Sequence, residues 1–273
     1  MKIRKKYLII NADDFGVCRS INQASINAYK YGCVTSLSIM PCAPFYQDAV
    51  RLAKANGISR MGVHLTVTSE FSALKWRPVS AGKDVSSLVD RRGYFRKTIS
   101  AFAKYARVDE VAKELENQIK KVTHSGITPT HLDCHMFALH SRVCLRNDLM
   151  PVIAYLCKKY NLPFRSPHRE ECAYLKKNNI KALKNSFKET YDINARDKNA
   201  AYNGLLGKIK PGVWELILHC GYYNAELRKI TKKSLRRQAD FEYAVSKQTK
   251  QLILKKGINL LSWEKYLTCA GYL

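Results

Sequence analysis

A few short segments carry the side chains best suited to chemistry. Asp13 and Asp14 stand side by side in IINADDFG, and His64 sits in the apolar run GVHLTV. His131, Asp133 and His135 alternate in PTHLDCH, Arg165 lies in FRSPHR, and His219 follows WELIL. Asp often follows a strand as a turn or helix cap. Two adjacent acids repel each other, however, and a nearby cation is the simpler account of the pair. In a strand, His131, Asp133 and His135 share one face, with Leu132 and Cys134 on the other. Buried polar groups must be paired. Either a hydrogen-bonded core network or a metal site with outer-shell support would satisfy them. His64 alone reads more readily as a satisfied core histidine than as a ligand. His219 becomes a general-acid candidate if a metal lies opposite, because imidazole titrates near neutrality. Arg165 could be a surface residue, or could hold a catalytic aspartate in its ionised form. His124 and His168 read as loop histidines.

These residues need a scaffold that gathers them. Short apolar runs alternate with helical stretches. Strands are expected at Tyr7–Ile10, Val34–Met40, Met61–Val67, Thr130–Cys134, Pro163–Ser166, Val213–His219 and Ile258–Ser262, seven at most. Helices are expected at Ser20–Tyr31 with Ser20 as the cap, Tyr46–Ala55, Val108–Thr123 and Leu145–Tyr160, with one long helix at Leu235–Lys256. This alternation is the pattern of a parallel sheet with crossover helices. The candidate residues fall at the C-terminal ends of strands, where barrels and open α/β sheets build their sites. Stretches 69–107 and 169–210 break the rhythm as loop excursions long enough to serve as lids. No repeat or domain boundary shows, so one domain over 1–273 is expected.

Composition narrows the class. With 273 residues the chain can bury a full core without staples. Hydrophobic residues at 46% and charged residues at 25% exclude a disordered chain, a collagen and a coiled-coil rod. Lys+Arg 47 against Asp+Glu 22 gives a net +25, which suits an anionic partner or a basic proteome. The densest basic run, Arg228–Arg237, reads as a solvated helix face, and no aromatic pattern of the RNA-binding kind accompanies it. No specific nucleic-acid partner is expected. Nine cysteines without a CxxC spacing argue against a disulfide framework and fit free thiols in a cytoplasmic protein. The apolar run after the basic start is too short for a signal peptide, and no stretch is long enough to span a membrane.

Taken together, IINADDFG, VTSLSIMP, GVHLTV, PTHLDCH, FRSPHR, ELILHCGY and LKKGINLLSW resemble, in order from 9 to 263, the YdjC-like or ChbG-like carbohydrate deacetylases. The resemblance implies a (β/α) barrel-like fold, an incomplete or distorted TIM-type barrel. It implies a metal-dependent hydrolase that removes acetyl groups from N-acetylated sugars such as diacetylchitobiose. By that resemblance Asp14, His64 and His135 bind one divalent metal, Mg2+ or Zn2+, Asp13 is the general base and His219 the general acid. His131 and Asp133 are then outer-shell or substrate residues, and a homodimer is plausible from the family alone. The sequence departs where the family usually continues with histidines, which are Phe137 and Leu139 here, and Cys220 replaces the Pro that commonly follows the late His. Tyr222, Tyr223, Trp76 and Trp263 could stack on pyranose rings, or could equally be core or rim residues. Two other classes compete: a metal-dependent phosphoester hydrolase, which would want two metals and more carboxylates, and a non-catalytic polyanion-binding protein. An iron(II) oxygenase shares the two-His, one-carboxylate set, but the base beside it and the late His219 favour hydrolysis.

Overall fold

The computed structural model describes residues 5–268 except 184, 188 and 189. Nine strands occur among the described residues: β1 Lys6–Phe15, β2 Ser36–Ile39, β3 Arg60–Leu65, β4 Thr128–Cys134, β5 Phe164–Arg165, β6 Ala182–Leu183, β7 Ser186–Phe187, β8 Gly212–Leu218 and β9 Ile258–Leu260. They form one parallel sheet in the order β6-β5-β4-β3-β2-β1-β8-β7, with β9 beside the start of β1. Eight of them curl into a nearly closed barrel with helices outside, as the strand–helix alternation leads one to expect.

The central strand explains why the sheet holds. Leu8, Ile9, Ile10 and Ala12 of β1 are fully buried, as a strand covered on both faces requires. It pairs β8 along one edge from Lys6↔Gly212 to Ala12↔Leu218, and β2 along the other from Asn11↔Ser36 to Phe15↔Ile39. Outside the barrel, the helix Val108–His124 buries Val111, Leu115, Ile119 and Val122 along one stripe.

Several elements differ from the sequence expectation. The stretch 169–210 is not mainly loop. It contains the helices Arg169–Lys177 and Lys198–Gly207 together with β6 and β7. Two-residue strands produce no periodicity, so the expected seven strands fell short. The long helix over Leu235–Lys256 breaks at Ser246, whose ψ of 131° leaves the helical region and whose Oγ accepts from the Thr249 N–H. Two helices, Ser234–Val245 and Lys247–Lys255, result. Ser20 does not cap its helix. The helix starts at Arg19, and the Ser20 hydroxyl donates to the Tyr222 carbonyl. The helix expected from Leu145 starts at Leu149, because Leu145 is left-handed at φ 57°. Stretch 69–107 carries 3-10 turns and the helix Ile99–Tyr105, and tucks Trp76 into the core. Cys18, Cys33, Cys42, Cys134, Cys144, Cys157 and Cys220 are free thiols, and Cys269 lies outside the described residues. No helix among the described residues is long and apolar enough to cross a membrane.

Candidate active site

The two adjacent aspartates cannot both face one side of a regular strand, since successive side chains alternate. β1 resolves this with an irregularity. Its register against β2 shifts between Ala12 and Phe15, and Asp14 adopts φ 67°. Asp tolerates the left-handed region better than most residues. Both carboxylates thereby reach the C-terminal mouth of the barrel.

Three strand ends then converge. Asp14 Oδ1 lies 3.3 Å from His64 Nε2 and 3.1 Å from His135 Nδ1. All three residues are buried, and their donor atoms lie within 4.8 Å of one another. A carboxylate and two imidazoles at that spacing fit a divalent cation. Burial pushes the Asp14 carboxyl up, but Arg237, His135 and His64 outweigh it and hold it well below the usual range. Burial pulls the His64 imidazole down, yet the Asp133 and Asp13 carboxylates raise it to about 10. His135 follows the same balance, with Glu70 and Asp14 raising it to about 9.

Arg165 organises the floor. Its Nη1 and Nη2 donate to Asp13 at 2.7 and 2.9 Å, its Nη2 lies 2.9 Å from Asp133 Oδ2, and its Nε donates to Glu215 at 3.0 Å. Asn11 donates a further hydrogen bond to Asp13 at 2.7 Å. Asp133 in turn accepts from Ser38 and lies 2.8 Å from His64 Nδ1, which leaves His64 Nε2 for the Asp14 side. His131 lies a layer deeper, 3.1 Å from the Ser38 hydroxyl and stacked on Trp263 at 4.3 Å. Asp13, His64 and Asp133 form a second donor group, but it shares His64, and Arg165 already holds both of its carboxylates.

His219 stands one residue beyond β8 and lines the same mouth, a cavity of about 450 Å³ that Asp13, Asp14, His64 and His135 also line. Burial lowers its imidazole to about 4, against the opposing pull of Asp14 and Asp13.

Every sequence-predicted site residue thus sits in or directly beneath one cavity. Sequence reasoning missed others. Arg237, read as part of a solvated helix face, is 1% exposed and donates to Asp14 Oδ2 at 2.6 Å. Nothing in a run of six cations marks the one that turns inward. Glu70 lies 3.0 Å from His135 Nε2, and Tyr191 packs on His219 with ring centroids 4.6 Å apart. Both come from the stretches expected as lids. Trp76 and Trp263 are 2% and 0% exposed and cannot stack on a ligand in the mouth. His168 lies in a loop, as expected, just before the helix Arg169–Lys177, but is buried beside His140 and Glu171. Glu171 accepts from Ser141 N and Oγ and from Ser166 Oγ, and lies 2.6 Å from His140 Nδ1, so its carboxylate ties the segments after β4 and β5 together.

Fold and mouth together define a parallel (β/α) barrel with a buried carboxylate–imidazole donor set at its C-terminal edge. The family model for YdjC-like proteins matches residues 7–255, and the chain belongs to that family. A carbohydrate deacetylase of Thermoanaerobacter pseudethanolicus is 31% identical over 259 residues, covering 94% of this chain and 98% of that protein. A chitooligosaccharide deacetylase of Yersinia enterocolitica is 35% identical over 170 residues, 61% of each chain. A crystal structure from Enterococcus faecalis, called a "putative cellobiose-phosphate cleavage protein", superposes with a TM-score of 0.82 at 29% identity, covering 96% of this chain and 99% of that one.

Proposed function

We propose that the protein is a metal-dependent carbohydrate deacetylase that hydrolyses the acetamide of an N-acetylated sugar, such as a short chitooligosaccharide. The observation that carries this reading is the meeting of Asp14, His64 and His135 with Asp13 and His219 around one cavity. The names of the relatives supply the substrate class. Asp14, His64 and His135 would hold one divalent metal, which when bound supplies Lewis acidity toward a carbonyl and acidifies water. Two imidazoles suit zinc better than magnesium, which favours all-oxygen sites.

The chain's own residues do the rest. Asp13, fixed by both Arg165 nitrogens, accepts a proton from the attacking water as its oxygen bonds to the carbonyl carbon. The C–N bond breaks, and the nitrogen takes a proton from His219. Because His219 starts neutral, it acts as an acid only after the proton held by Asp13 has passed to it, so a single proton moves from water through Asp13 and His219 to the amine nitrogen. Acetic acid and a free amine result, which at neutral pH become acetate and an ammonium group.

The phosphoester alternative would want a second metal beside the first. Its carboxylates would be Asp13 and Asp133, and Arg165 already occupies both. Binding of a polyanion would weaken steeply with salt, whereas hydrolysis of a neutral sugar would change little.

Acetate release from N,N′-diacetylchitobiose by metal-stripped protein tests the reading, with zinc, magnesium or cobalt restored and Asp13→Asn as control. Metal-dependent release that the control abolishes supports it. Release that is indifferent to metal, or that survives in Asp13→Asn, overturns it.

A further inference from the structure

The His219 imidazole is poorly anchored through its own ring. Its Nδ1 is buried without a hydrogen-bond partner, and its one described ring neighbour is Tyr191. Its backbone is held instead. β8 ends at Leu218, and the His219 N–H donates to Asp240 Oδ2 at 2.9 Å. Asp240 is fully buried on the helix Ser234–Val245. Its other oxygen, Oδ1, accepts from Lys198 Nζ at 2.6 Å and from the Tyr202 hydroxyl. Lys198 is itself fully buried, and its Nζ also reaches the Tyr202 hydroxyl at 3.0 Å and the Thr190 carbonyl at 3.3 Å.

A buried ion pair is a poor stabiliser compared with an apolar pair of the same volume. What this pair does is geometric. It fixes a carboxylate oxygen under the backbone of the one residue that carries His219 into the mouth. Arg237, one turn earlier on the same helix, accepts from the Gly221 N–H with its carbonyl and donates to Asp14 with its guanidinium. One helix therefore addresses both sides of the reacting centre.

We propose that Asp240, held by Lys198, is a positioning residue that sets the place of His219 for proton delivery. The proposal rests on the deacetylase reading and on His219 as its acid. Loss of the residues that orient metal ligands typically costs about 10–100-fold in activity, and a loss of that size is expected for a residue that places the acid.

The test is a double-mutant cycle on diacetylchitobiose hydrolysis with the full, metal-loaded chain. Asp240→Asn is expected to lower kcat by about 10–100-fold while KM and metal content stay as in the parent protein. In a His219→Ala background the same substitution should have almost no further effect, because residues that act as a unit are not additive. Lys198→Met should reproduce both results, and it serves if Asp240→Asn does not fold, since Lys198 touches Asp240 and not His219. Losses that multiply, or that appear in KM, would show a merely structural role and overturn the proposal. An unchanged kcat in His219→Ala would instead remove the acid assignment on which the proposal rests, so the two failures are distinguishable.

Discussion

Arg165 grips Asp13 with two nitrogens, at 2.7 and 2.9 Å. The pair joins β5 to β1 across the barrel and fixes the plane of the carboxylate that lines the mouth with Asp14, His64 and His135. Asp13→Asn keeps the shape and removes the proposed base. Turnover is expected to fall by at least about 100-fold, within the range general-base catalysis supplies, while metal content measured by elemental analysis is unchanged.

Arg165→Met has a different consequence. It leaves Asp13, Asp133 and Glu215 buried without their shared cation. Breaking a buried pair by removing one partner costs about 3–5 kcal/mol. Urea unfolding should show a loss of that order, larger than for Asp13→Asn, after which Arg165 still has two carboxylates.

Metal uptake should be strongly pH-dependent. Without metal, His64 at about 10 and His135 at about 9 are protonated at neutral pH. A ligand imidazole must be neutral, so binding releases protons and affinity climbs as pH rises toward 9 to 10. Calorimetry in buffers of different ionisation enthalpy should count up to two protons released per metal near pH 7. His64→Ala or His135→Ala should lower affinity by more than the roughly 10–100-fold typical of outer-shell losses.

The same imidazoles govern the stability of the metal-free protein. Their native values lie above the ordinary 6.5. Their contribution is fully present below about pH 6.5 and is lost as pH rises through 9 and 10. His219 works at the other end. Its native value of about 4 lies below 6.5, so its contribution is lost as pH falls from 6.5 to 4. Thermal melts of the metal-free protein across pH should show both edges, and His219→Ala should blunt the acid one.

Gly62 supplies a packing test. A Cβ there would collide with the His131 imidazole and the Ser38 hydroxyl. Gly62→Ala is expected to cost about 1–3 kcal/mol, as overpacking does, and to disturb Asp133 through Ser38. A denaturation midpoint equal to that of the parent would contradict this.

The alternation of strands and helices is legible in the chain's own pattern, because burial on both faces of a parallel sheet writes continuous apolar runs such as those in β1 and β8. That pattern also carried the polar residues at the strand ends, since the period of two places His131 and Asp133 on one face of β4 and brings the chain to His135 one residue past its end. Tertiary structure decided what no local pattern encodes. A left-handed Asp14 lets two neighbouring acids face the same mouth. Arg237 turns inward from a run of cations only because Asp14 waits there, 223 positions away in the chain. Asp240 and Lys198 look like ordinary surface charges until the fold buries them against each other. Such residues have no period and no spacing to read. Their partners are distant in sequence, and only closure of the barrel brings opposite charges into contact.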